Sequence, residues 1–113
     1  MPRPFRQSLG HAWRGLQIAW KTQPNVRIHF VIAASVMVIA LVLRKTLLEI
    51  SILLVTISVV VVAELINTAV EILSDIMHPR VSKNVEILKD VSAAAVLVAS
   101  GVAALVGMLL FFG

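Results

Sequence analysis

Glu64, Asn67, Thr68, Glu71 and Asp75 stand at offsets 0, 3, 4, 7 and 11 along an otherwise apolar stretch. At about 100° per residue they fall within an arc of roughly 100°, so a helix through them carries its strongly polar groups on one side. Leu65, Ile66, Val70, Ile72 and Leu73 take the other side. Glu64 and Glu71 are two turns apart, roughly 10 Å along a helix axis, too far to share one cation easily. Different tasks suit them. Glu64 follows directly on an apolar run and suits a general base reaching a buried hydroxyl. Glu71 is nearer water and suits a hard divalent cation such as Mg²⁺, with substrate phosphates completing the shell. Asn67 and Thr68 can orient either carboxylate. Further on, Lys89 beside Asp90 offers a cation for phosphate and one more orienting acid.

The elements that must position these groups are membrane elements. The chain has 113 residues, 59% of them hydrophobic, no Cys and a mean hydropathy of +0.98. That is one domain's worth of chain, too apolar for an ordinary soluble fold, with no disulfide framework and no thiolate metal site. The pattern predicts an all-α integral membrane protein with an N-terminal amphipathic surface helix and three transmembrane helices. Residues 5–21 place Phe5, Leu9, Trp13, Leu16 and Trp20 on one face and Arg6, Arg14, Gln17 and Lys21 opposite, which suits the headgroup region. After the break at Thr22-Gln23-Pro24-Asn25, residues 25–43 form the first span, short unless Arg27 snorkels. No Pro or Gly interrupts residues 46 to 77, so one long helix is expected, ended by His78-Pro79. The last helix covers 84–112, N-capped by Ser82, and its stretch from Val91 to Phe112 has no charge. Ala95, Ala99, Ala103 and Gly107 recur along it as a small-residue seam that permits close helix approach.

Charge sets the orientation. Five cations (Arg3, Arg6, Arg14, Lys21, Arg27) and no acid precede Phe30, and three more (Arg80, Lys83, Lys89) follow the long helix, against two at Arg44-Lys45. The positive-inside rule then puts the N-terminus and the 78–90 connection in the cytoplasm and the C-terminus outside. Neither a cleaved leader nor nucleic-acid binding is expected, since no early apolar run stands near the start and a mostly buried chain has little surface to track a phosphate backbone. The five glycines are scattered, so any ATP is bound without a P-loop. His29 and His78, taken alone, read as interface residues.

Ionisable groups inside a membrane segment default to a functional reading. A polar stripe of this kind also serves as hydrogen-bonding glue between helices or marks a proton or cation path, and a purely structural subunit is a third option. Conduction asks for polar groups through the full bilayer thickness, where the last helix offers only Ser92 and Ser100 and the first span only Ser35.

The run Glu64-x-x-Asn67-Thr68-Ala69-x-Glu71-x-x-x-Asp75, followed by Lys89-Asp90-x-x-Ala93-Ala94-Ala95-Val96-Leu97, resembles the prokaryotic diacylglycerol kinase family, which includes the undecaprenol kinases. Trp13-Arg14-Gly15-Leu16 and Asn25-x-Arg27-Ile28-His29 extend the likeness over nearly the whole chain, the latter pattern looking more like the undecaprenol branch. The resemblance implies a homotrimer in the bacterial inner membrane that moves the γ-phosphate of MgATP to a lipid hydroxyl at the cytoplasmic face. It implies that Glu64 is the catalytic base, with Asn67 and Asp75 completing the reaction site. It further implies Glu71, Lys89, Asp90 and Gln23 on the nucleotide, Glu71 and Gln23 on the metal, and Glu64, Asn25 and Trp20 on the lipid. The chain departs from the family at Gln23, where a second metal-binding Glu is usual and an amide oxygen ligates without charge. It departs again between Asp75 and Lys89, where no acid precedes Glu86.

Overall fold

A computed structural model describes residues 4–77 and 83–113, and all regular structure among them is helical. The helices are α1 (Phe5–Thr22), α2 (Pro24–Val42), α3 (Leu47–Met77) and α4 (Lys83–Phe112). The last three are long and apolar enough to cross a membrane. The expected helix stop at His78-Pro79 and the Ser82 cap lie outside the described residues.

The α1–α2 elbow follows from its sequence. Pro24 occupies the first turn of α2, where its missing N–H costs nothing and its fixed φ suits a helix start. The Gln23 N–H closes α1 on the Ala19 carbonyl at 2.9 Å. The Arg27 guanidinium turns back and donates to the Trp20 and Lys21 carbonyls at 2.7 and 3.2 Å, satisfying acceptors that the end of α1 leaves open. Trp20 packs edge-on against Phe30, and Ala19 and Val26 are buried in the corner.

The α2–α3 turn is tightly specified. Arg44 has φ 57° and closes α2 with its N–H on the Leu41 carbonyl, while the Lys45 N–H reaches the Ala40 carbonyl. That is a Schellman closure with arginine where glycine is usual. Thr46 and Glu49 then cap α3 reciprocally. The Glu49 carboxylate accepts from the Thr46 N–H at 3.0 Å, and the Thr46 hydroxyl accepts from the Glu49 N–H at 3.1 Å. Lys45 Nζ donates to the Leu110 carbonyl at 2.7 Å and lies over the Phe111 ring, tying this turn to the end of α4.

Helix α3 is the central strut. Its 31 residues span roughly 46 Å, longer than the ~30 Å bilayer core. Its packing with α4 is the most extensive in the chain, α2 packs on another side, and α1 touches α2 and α3 lightly. Leu53, Val60, Glu64 and Thr68 form its buried stripe, apolar at depth and polar toward the end. Among the described residues α2 and α4 do not pack on each other. A cleft of about 690 Å³ opens between them, lined by His29, Val36 and Leu43 of α2, Leu53 and Val60 of α3, and Phe111 of α4. The small-residue seam of α4 is not a close intrachain contact at its end, because a methyl group added at Gly107 meets nothing within 4 Å.

Candidate active site

The acidic stripe divides by depth. Glu64 is only 4% exposed and Thr68 5%, Asn67 and Glu71 are half-buried, and Asp75 is exposed. Thr68 spends its hydroxyl on the Glu64 backbone carbonyl at 2.9 Å, so it is bonded along its own helix and not to a carboxylate. Ser74, absent from the expected stripe, is buried where Asp75 is not.

Glu64, Asn67 and Glu71 each face a polar side chain on a neighbouring helix. Glu64 Oε1 lies 3.3 Å from His29 Nδ1 on α2. The approach is off hydrogen-bond alignment, and Nδ1 is buried with no other acceptor among the described residues. Asn67 Oδ1 accepts from Ser92 Oγ of α4 at 2.9 Å. One turn further out, Glu71 Oε2 is 3.4 Å from Lys89 Nζ. The pairs 67–92 and 71–89 run in opposite directions along the two helices, the register of an antiparallel pair. Two of the residues expected on the nucleotide, 18 positions apart in the chain, are therefore adjacent.

Other expected members are not gathered by this chain alone. The side chains of Gln23, Asn25, Asp75 and Asp90 make no polar contact with Glu64 or Glu71 among the described residues, and Trp20 is engaged by Phe30. His29 is the member that sequence reasoning placed at an interface and left out of the site. No local signal marks it; only in the structure does it fall three residues after Val26 and eleven before Ala40, the buried positions of α2. Ser92 carried a faint signal, one small hydroxyl three residues past Lys89.

No group of three His, Cys, Asp or Glu side chains among the described residues is arranged to hold a metal ion. That donor set still suits Mg²⁺, which takes one or two carboxylates and draws its other ligands from water and substrate phosphate. Glu71 fits that part, since its carboxylate is about one-third exposed and, among the described residues, faces the partly exposed Lys89.

The described chain is thus helical, with three helices long and apolar enough to cross a membrane and a carboxylate–lysine pair toward one end of α3. The sequence matches the model of prokaryotic diacylglycerol kinases over residues 10–111, and the chain belongs to that family. It is 35% identical over 101 residues to a diacylglycerol kinase of Synechocystis sp., covering 88% of this chain and 58% of that protein. It is 28% identical over 107 residues to an undecaprenol kinase of Bacillus subtilis, covering 95% of this chain and 87% of that one. The chain thus spans somewhat over half the length of the first relative and most of the second.

Proposed function

We propose that this chain is a lipid kinase that moves the γ-phosphoryl group of MgATP to the hydroxyl of a membrane lipid, undecaprenol or diacylglycerol. The observation that carries this reading is the placing of Glu64. It is a buried carboxylate against His29, the polar residue that lines one end of an apolar cleft, and it stands two turns from the more open Glu71–Lys89 pair. An apolar cleft is a site for a lipid chain, and in this reading the hydroxyl that ends the chain passes His29 to meet Glu64. Polar lining in that cleft is confined to His29, Thr56 and Ser100, which counts against an ion path.

The chemistry follows from the groups. Glu64 takes the hydroxyl proton as the lipid oxygen bonds to the γ-phosphorus, and the bond to the ADP oxygen breaks with its electron pair leaving on ADP. The proton then passes from Glu64 to water, so the products are lipid phosphate, ADP and H⁺. Phosphoryl transfer of this kind asks mostly for positioning and charge neutralisation. Lys89 exchanges its carboxylate partner for phosphate oxygens, and Asn67, held by Ser92, borders the same space. Bound Mg²⁺ supplies charge neutralisation at the phosphates, with Glu71 and Gln23 as the residues to hold it. Asp75 and Asp90 complete the nucleotide side, and Trp20 and Asn25 the lipid side.

The working form in this reading is a homotrimer in the bacterial cytoplasmic membrane. A single chain leaves the α2–α4 cleft uncovered and leaves the side chains of Gln23, Asp75 and Asp90 without polar partners among the described residues. Helix α1 lies along the membrane surface, with Leu9 and Trp13 unpacked against the chain. The five early cations put that surface and the site on the cytoplasmic side. Replacing Glu64 by Gln tests the reading. The variant keeps the oligomer, read by its elution from a sizing column in detergent, and loses lipid phosphorylation. Full turnover by Glu64→Gln refutes it.

A further inference from the structure

We infer that His29 is the positioning residue for Glu64, donating its Nδ1–H to the carboxylate and fixing the orientation in which that carboxylate meets the lipid hydroxyl. The inference rests on the reading of Glu64 as the base and adds a group which that reading does not use. Three observations carry it. His29 Nδ1 and Glu64 Oε1 are 3.3 Å apart, across two helices 35 residues distant in the chain. Nδ1 is buried and makes no aligned hydrogen bond among the described residues, a buried donor left unmade costs about 1–3 kcal/mol, and a small rotation of the carboxylate 3.3 Å away supplies the acceptor. Glu64 itself is 4% exposed, and the Thr68 hydroxyl that stands one turn away is committed to the Glu64 backbone carbonyl. Without the imidazole, the carboxylate has no side-chain donor among the described residues.

The ring also faces the cleft. His29 is the polar residue at the end of the apolar lining nearest Glu64, and Glu64 lies behind it, outside the lining, so the imidazole stands between an entering lipid and the carboxylate. A carboxylate on three rotatable bonds is a poor base until one rotamer is selected, and a donor from a separate helix selects it. The loss expected from His29→Ala is therefore in turnover and not in nucleotide binding.

The test uses the nitrogen that faces Glu64. The amide nitrogen of Asn overlays Nδ1 of His, whereas that of Gln overlays Nε2. His29→Ala should lower kcat roughly ten- to a hundredfold, the scale for losing a group that orients a working side chain, with the KM for ATP unchanged. His29→Asn should restore most of that loss and His29→Gln little of it. Nitrogen-15 histidine spectra of the detergent-solubilised protein give a readout besides activity. They should show Nδ1 protonated and hydrogen-bonded in the wild type and altered in Glu64→Ala. Equal kcat in His29→Ala and the wild type, equal rescue by Asn and Gln, or an unaltered His29 spectrum in Glu64→Ala overturns the inference. If Glu64→Gln abolishes transfer while the His29 variants are unimpaired, only the inference fails. If the wild type transfers nothing to lipid, the reading beneath it fails as well.

Discussion

Glu71 on α3 and Lys89 on α4 face each other at 3.4 Å, with both side chains about one-third exposed. A pair at that depth contributes little to folding, because water screens it and two long side chains lose freedom to form it. Its placement matters more than its strength. In the proposed function one member holds the divalent cation and the other meets phosphate, so MgATP would supply a better partner for both.

Lys89→Met should therefore separate function from folding. A charge-assisted contact to phosphate is worth about 1.5–3 kcal/mol, so the KM for ATP rises roughly ten- to a hundredfold. The apparent melting temperature in detergent should move little. A large fall in melting temperature with an unchanged KM would make the pair a structural clamp.

Gln23→Glu restores a carboxylate at the elbow between α1 and α2, where Gln23 is half-buried and its side chain makes no capping bond. A hard cation prefers charged oxygen, so the Mg²⁺ concentration for half-maximal rate should fall several-fold. An unchanged or raised requirement removes this residue from the metal site.

Ser92→Ala takes away the donor to Asn67 Oδ1, a contact of 2.9 Å between the two helices that share the most packing. Interhelical hydrogen bonds in membranes are worth about 0.6 kcal/mol on average. A small loss of thermal stability is expected, accompanied by a drop in kcat as Asn67 loses its orientation. Loss of stability alone would leave Asn67 outside the reaction.

Arg44→Gly bears on the fold and not on the chemistry. Arg44 sits at φ 57°, a conformation that costs an L-residue about 1 kcal/mol and glycine nothing sterically. Thermal unfolding in detergent should show a modest gain for Arg44→Gly and a loss of about 1 kcal/mol for Thr46→Ala, which removes the cap of α3. The opposite order would contradict the closure described for this turn.

How much of this was legible in the sequence depends on the range of the interaction. Residues 46 to 77 without Pro or Gly announce one long helix, and the polar offsets from Glu64 to Asp75 announce one face. Both are local. The Thr46–Glu49 capping box is equally local, three residues apart, and legible once a helix start is sought there and not only near Ser82. His29 beside Glu64 was not legible, because a lone histidine on an apolar helix says nothing about which helix it meets. The division between buried Ser74 and exposed Asp75 was lost for a related reason. Periodicity gives the angular position of a residue but not where the neighbouring helices lie. The spacing of Ala95, Ala99, Ala103 and Gly107 likewise marks a smooth surface without saying what covers it, and among the described residues a methyl group added at Gly107 meets nothing within 4 Å.

Transfer of label from [γ-³²P]ATP to lipid by the purified protein in micelles, with undecaprenol and diacylglycerol offered side by side, tests the central claim most directly. The account predicts Mg²⁺-dependent label in at least one of the two lipids. No label in either lipid, from protein that elutes as a folded oligomer, would contradict it.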